Sequence, residues 1–385
     1  MKILILGSYY SDNLGDGVIC ECVKYQIQNR FPTADCVCFD LWDRTCFQTR
    51  GVKDMASTWK RELRTWLRAR VTRLGIVDKQ YKHEQNMINC EREYFERLSE
   101  QDCDLVVFAG GQMFMDTYAL KISWLVRRFE ERGIPVIFNA CGVGPNYSRQ
   151  IRKYLSEALE SSCVRGVSCR DDVETVNRLY TAQSRRSVPV ADSALWCSQC
   201  YGAGKDSSSA VVGLGIMSPY RNPITSSCRF WVRMIRELER REIKWKIFVN
   251  GSGSDDTFAR HVIASIPELS GPFEDYSVPI PTTPEELIGT ISKFKSIISF
   301  RLHSHIIAAS LGIPSVAVVW DGKVRFFFEK IGHPERCCTL RDKPSKVLDK
   351  LATAEREGYD RKMIDEQKRY SEEWLMKAIE KTGLT

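Results

Sequence analysis

The sequence predicts an α/β protein built from two similar halves, each a parallel sheet covered by helices on both faces. Short apolar runs alternate with amphipathic stretches along most of the 385 residues, the pattern of parallel strands joined by crossover helices. The chain is longer than one hydrophobic core usually organises. Near its middle the polar, Ser- and Gly-rich stretch CSQCYGAGKDSSS interrupts the alternation, which restarts beyond it.

The elements follow in order. KILILG is too short for a signal-peptide core, breaks at Gly7 and reads as a first strand. A helix from about Asp16 to Asn29, the strand DCVCFDL, a long helical stretch, DLVVFAGG, a helix, IPVIFNACGVGP, a helix and VRGVSCRD come next, and VPVADSALW closes the unit. Beyond the linker come SAVVGLGIM, a helix over Ser226 to Arg241, WKIFVNG, a helix near Asp255 to Ser265, and TTPEELIGTISKF. In the last of these Thr283 caps, Pro284 takes the first turn and Glu286 closes a capping box. KSIISF, the helix after His303, IPSVAVVW and a helix through Phe326 to Ile331, read as buried across Phe326 to Phe328, complete the second half. The expected division is a domain over 1–196, a linker over 197–209, a second domain over 210–355, and a C-terminal helix over 356–385 packing back on the first domain. Two such domains leave a cleft where the carboxyl ends of their strands face each other and ligands sit.

Composition narrows the function. With 43% hydrophobic and 27% charged residues the chain has an ordinary globular make-up. No apolar run approaches the roughly 20 residues of a bilayer span, so a cytoplasmic protein is expected. The fifteen cysteines are then reduced thiols. The one CxxC, Cys197 to Cys200, lacks the second pair or spaced histidines of a zinc site, and no metal is expected. The net charge of +7 suits an anionic small substrate or an acidic membrane face and is too weak for nucleic acid. It concentrates in WKRELRTWLRARVTRLG, Trp59 to Gly75, where Trp59, Leu63, Trp66, Leu67 and Val71 recur at helical spacing among Lys and Arg. That pattern fits a basic amphipathic helix lying on anionic lipid, and equally a packed helix with a charged outer face.

Several strand-to-helix junctions carry candidate chemistry. GSYYSDNLGDG, Gly7 to Gly17, lacks both GxGxxG and the P-loop pattern, which leaves Asn13 and Asp16 either as helix caps or as part of a cleft loop. Gly110 and Gly111 in FAGGQMFMD, and the glycines of ACGVGP, allow sharp turns at the same sheet edge. Arg170 in SCRDD sits where a strand passes into a helix, with Asp171 or Asp172 available as its cap. In SFRLHSHIIAASLGIP, Arg301 and His303 lie between a strand's carboxyl end and a helix's amino end, a place that favours anions. Arginine supplies a permanent fork for carboxylate or phosphate, and histidine moves protons near neutrality. Helical positions i and i+2 point about 200° apart, so His303 and His305 serve different surroundings. Lys323, in WDGKV, occupies the corresponding turn of the next unit.

The set NLGDG, AGGQMF, GVGP, CRD, RLHS and WDGKV, in this order and spacing, resembles the polysaccharide pyruvyl transferase family over roughly Met1 to Gly332. RLHS followed by a small-residue helix and GIPSVAV is its most specific part. The resemblance implies two Rossmann-like domains of the GT-B type, and transfer of the enolpyruvyl group of phosphoenolpyruvate to a sugar as a pyruvate ketal. Bacterial members often act on saccharides carried by a lipid diphosphate, which implies an enzyme at the inner face of the membrane. It further implies phosphoenolpyruvate on the second domain and the acceptor on the first. Arg170, Arg301 and Lys323 would be the cations for carboxylate and phosphate, and His303 the general acid or a later base. Asn13, Asp16, Gly110, Gly111, Gln112 and Ser304 belong to the matched motifs and are expected at the substrates, with no metal and no cofactor beyond the donor itself. The chain departs from the pattern twice, in its acceptor half: Gly17 stands where many relatives have an acid, and a three-glycine turn appears as Ala109, Gly110 and Gly111. Two other readings stay open. One is a GT-B glycosyltransferase using a nucleotide sugar, with Asp321 and Glu329 toward the ribose. The other is a silent saccharide-binding homologue, against which the intact Arg301, His303 and Lys323 set argues.

Overall fold

The computed structural model describes residues 1–47, 78–144, 149–182, 185–219 and 222–384, so the basic stretch Trp59 to Gly75 lies outside the described residues. The first half runs β1 (Lys2–Gly7), α1 (Gly15–Arg30), β2 (Asp35–Asp40), α2 (Asp78–Ser99), β3 (Leu105–Phe108), β4 (Gly111–Phe114), α3 (Asp116–Glu131), β5 (Val136–Val143), α4 (Arg149–Glu160), β6 (Val164–Cys169), α5 (Val173–Leu179) and β7 (Val188–Pro189). Its strands pair in parallel in the order β2-β1-β3-β5-β6-β7, with β4 joining β5 off that path. A 3-10 turn, Ser193–Trp196, and the short helix α6 (Cys197–Cys200) lead into the second half.

There β8 (Val212–Gly215), α7 (Ile224–Arg240), β9 (Trp245–Phe248), α8 (Gly253–Ala264), α9 (Pro284–Ser292), β10 (Ser296–Ser299), α10 (Leu302–Leu311), β11 (Ser315–Val318), α11 (Gly322–Lys330) and β12 (Cys337–Cys338) alternate. They form a parallel sheet in the order β12-β11-β10-β8-β9. The helices α12 (Pro344–Glu357) and α13 (Arg361–Glu380) end the chain.

The central strands are buried along their length, β3, β8, β10 and β11 entirely, as parallel strands covered on both faces must be. One core covers a face of each sheet and continues between them, joining Ile5 and Val18 to Phe248, Leu302, Ile306 and Phe328. Two further cores fill the opposite faces, one around Phe108 and Phe138, the other around Trp231 and Ile298. The helix α13 lies against the first half, where Ala191 N donates to Ser371 Oγ at 2.7 Å and Trp374 packs over Gly166. No helix among the described residues is long and apolar enough to cross a membrane.

Local expectations hold with three corrections. Thr283 caps α9 through the Glu286 amide and Pro284 opens the helix, but the Glu286 carboxylate reaches back one residue further, to Thr282 N and Oγ1. Asn13 and Asp16 do not cap α1: Leu14 holds the cap position without a side-chain bond, and Asn13 Nδ2 donates to Asp16 Oδ2 instead. Phe326 is 40% exposed, whereas Phe327 and Phe328 are buried, because successive residues on α11 turn about 100° and only one side meets the core.

Candidate active site

Strand order reverses once in each sheet, between β1 and β3 and between β8 and β10, and such switch points open a crevice beyond the carboxyl ends of the strands. The motif residues gather at these two places. From the first half come the loop before α1, with Asn13 and Asp16, and the turn between β3 and β4. That turn needs glycine: Gly110 and Gly111 have φ of 109° and 81°, and a β-carbon on Gly110 would lie 3.0 Å from the carbonyl oxygens of Asn139 and Ala140. From the second half comes α10, with His303 in its first turn.

His303 is the meeting point. It is 6% exposed and Arg170 7%, yet each touches the other half of the molecule: Arg170 Nη1 lies 3.2 Å from His303 Nε2. A guanidinium has only donors, so Nε2 accepts, and the neutral ring carries its hydrogen on Nδ1. That atom faces Asp16 Oδ1 at 3.9 Å. Arg170 Nη1 also donates to Asp192 Oδ2 at 2.5 Å, and the same oxygen stands 4.0 Å from His303 Nε2. The ring packs so closely on α1 that a β-carbon on Gly15 would fall 2.4 Å from it. Burial pushes His303 down to about 4, with Arg170 and Lys323 helping and Asp16 and Asp192 resisting, so the imidazole is neutral at pH 7.

Lys323, on the first turn of α11, crosses the cleft to donate to Gln112 Oε1 at 3.0 Å, while Gln112 Nε2 donates to Val143 O. Burial first, then the charge of Arg170, bring Lys323 down to about 8. Lys330, two turns further along the same face of α11, donates to Val190 O at 2.5 Å, and burial lowers its pKa as well. Between these groups lies a cavity of about 20 Å³ lined by Arg170, Asp192, Leu302, Lys323, Phe327 and Lys330, room for about one water.

Asn13, Asp16, Gly110, Gly111, Gln112, Arg170, His303 and Lys323 thus share one region. Arg301 and Ser304 turn elsewhere. Arg301 Nε and Nη2 both donate to Asp255 Oδ2, at 2.9 and 2.6 Å, and Asp255 is buried with its other oxygen on Ser218 N. Ser304 Oγ donates to Asn250 Oδ1 at 2.9 Å. His305 is turned away as expected: its Nε2 sits 3.0 Å from Ser299 O, and its ring packs edge-on against Phe328. Sequence reading missed Asp192, Asp255 and Lys330. The only signal for Asp192 was its place at the end of VPVAD, after the last strand of the half. Elsewhere, His333, Glu335 and Glu357 come within metal-ligand reach of one another, but both carboxylates lie beside the Arg336 guanidinium, at 3.5 and 3.6 Å.

Two parallel sheets facing each other across a shared cleft define a protein of two Rossmann-like domains with the GT-B architecture. The fold is similar to that of a UDP-GlcNAc 2-epimerase from Neisseria meningitidis bound to UDP-GlcNAc, with a TM-score of 0.53 and 11% identity over 99% of this chain and 100% of that one. The Methanocaldococcus jannaschii UDP-GlcNAc 2-epimerase is similar too, with a TM-score of 0.51 and 10% identity over 92% of each chain. No curated protein matches by sequence. The chain belongs to the polysaccharide pyruvyl transferase family, whose model matches residues 13–322. Membership makes it a transferase of polysaccharide biosynthesis.

Proposed function

We propose that the protein moves the enolpyruvyl group of phosphoenolpyruvate onto a sugar of a surface polysaccharide precursor, carried by a lipid diphosphate at the inner face of the membrane, forming a pyruvate ketal and releasing phosphate. The observation that carries this reading is the convergence of Arg170, His303 and Lys323 from the two halves. A donor with one carboxylate and one phosphate needs several fixed cations around a group able to move a proton.

In this scheme the anion takes Arg170 from Asp192 and accepts from Lys323, whose other donors keep Gln112, and Lys330 adds positive charge behind them. Its negative charge draws a proton onto His303. The imidazolium gives that proton to the methylene carbon, and the cationic carbon beside it takes the first sugar hydroxyl. His303, neutral again, accepts the proton of that hydroxyl. Phosphate leaves toward Lys323, and the second hydroxyl closes the ketal and gives its proton to phosphate, while the first hydroxyl's proton stays on His303 and recharges it for the next turnover. Asp16 orients the ring through Nδ1, and Arg301 acts at a distance by fixing the start of α10 against Asp255.

The reading is tested by incubating the protein with phosphoenolpyruvate and a panel of p-nitrophenyl and lipid-linked glycosides, following phosphate release and the mass gain of a pyruvate ketal. His303→Asn should abolish both without altering the fold. Thermal protection by nucleotide sugars and none by phosphoenolpyruvate would sink the proposal.

A further inference from the structure

The carboxyl edges of β1 and β2 carry a group of side chains that this scheme leaves unused. Asp40, at the end of β2, has a fully buried carboxylate that accepts from Tyr10 N at 2.8 Å and from Trp42 N at 2.7 Å. Arg44 Nε and Nη2 grip its two oxygens at 2.9 Å each. One carboxylate therefore fixes the backbone at Tyr10 and Trp42 and the guanidinium of Arg44, the kind of support a binding site needs. Around it, Tyr10 meets Tyr9 at 4.6 Å and Phe47 at 5.0 Å between ring centres. Trp42 stands edge-on to Tyr118, with the Lys121 ammonium 3.5 Å from its ring centre, and Ser8 shares a hydrogen bond with the Tyr118 hydroxyl at 2.6 Å. These rings are only partly buried. Tyr10 Oη and Arg44 Nη1 have no hydrogen-bond partner among the described residues.

We infer that this rim is the subsite for the acceptor sugar, a pyranose lying with its apolar C–H face on Tyr10 and its hydroxyl edge on Tyr10 Oη and Arg44 Nη1, with Trp42 at its border. Flat rings interleaved with fixed polar atoms match a ligand whose faces are apolar and whose rim is polar. A lipid tail would ask for a continuous apolar strip. The loop that carries Tyr10 also carries Asn13 and leads to Asp16, so a saccharide on the rim extends toward His303. The subsite also accounts for Gly17. A β-carbon there would meet Pro284 Cγ at 2.9 Å, and Phe47 Cε1 and Tyr9 O at 3.0 Å, so any side chain at this position would crowd Phe47, which packs on Tyr9 and Tyr10.

The inference rests on the proposed function, and two measurements keep them separable. Saturation-transfer NMR with methyl glycosides of galactose, glucose and mannose should give signals from at least one sugar on the wild-type protein. Tyr10→Ala and Gly17→Glu should weaken that binding by about tenfold or more, the loss expected for an aromatic anchor, and Trp42→Phe by less. Thermal protection by phosphoenolpyruvate should be the same in all four proteins. The subsite is overturned if no glycoside gives a signal, if the signal survives Tyr10→Ala, or if UDP-GlcNAc rather than a glycoside depends on Tyr10. Tyr10-dependent glycoside binding without any protection by phosphoenolpyruvate would leave the subsite standing and remove the donor.

Discussion

His303 holds a neutral ring between an arginine and two carboxylates, and its charge state follows from what occupies the cleft. An arriving anion takes over Arg170 and adds negative charge, which raises the pKa of the imidazole. Binding of phosphoenolpyruvate near pH 6 should therefore be accompanied by uptake of a proton. Calorimetry in buffers of different ionisation enthalpy should detect it in the wild type and lose it in His303→Asn. His305 has no such exchange. It too is pushed down to about 4 by burial, opposed only by Ser299 O. A histidine with a depressed folded pKa contributes stability in full above its unfolded value near 6.5, and loses it as pH falls toward 4. Each should therefore withdraw about 2 kcal/mol between pH 7 and pH 5, measurable by urea unfolding at the two pH values. At this scale the sequence separated His303 from His305 through helical geometry and located Arg170 and Lys323 at strand ends. It did not reveal that Arg301 faces Asp255 or that Arg170 faces Asp192, because those pairings span 46 and 22 residues and exist only after folding.

The first turn of α1 is the element on which the site is assembled, with His303 against Gly15 and Phe47 against Gly17. Alanine normally stabilises a helix interior relative to glycine by about 1 kcal/mol. Here Gly15→Ala should do the reverse, because its methyl enters the His303 ring position, and overpacking of this kind costs about 1–3 kcal/mol. The expected outcome is a lower Tm together with loss of phosphate release; an unchanged Tm with full activity would contradict the packing described. Strands and helices themselves were legible from periodicity, and so was the Thr283 cap. The failed cap at Asn13 has a physical reason: its amide is drawn onto Asp16 beside the histidine, so a residue type suited to capping serves the cleft instead.

At the scale of the molecule, the two sheets and the polar stretch between them could be read from the sequence, but their intimacy could not. Hydrophobic pattern marks which residues are buried without marking what buries them. One core joins Ile5 of the first sheet to Phe328 of the second half, and α13 locks across it through Ser371 and through Gln367 on Lys330 O. The halves should therefore unfold together, so that tryptophan fluorescence and far-ultraviolet circular dichroism give coincident urea transitions; two separated transitions would refute the shared core. The cleft cavity of about 20 Å³ has a chemical counterpart under the proposed reaction. Phosphoenolpyruvate is far larger than one water, so the side chains around this space have to rearrange to admit it and close over it before the proton moves. A donor protonated in an open cleft would be intercepted by solvent and leave as free pyruvate. The proportion of pyruvate to ketal among the products would then serve as a clock for closure, and loosening the Lys323–Gln112 strap with Gln112→Ala should shift that proportion toward wasteful hydrolysis.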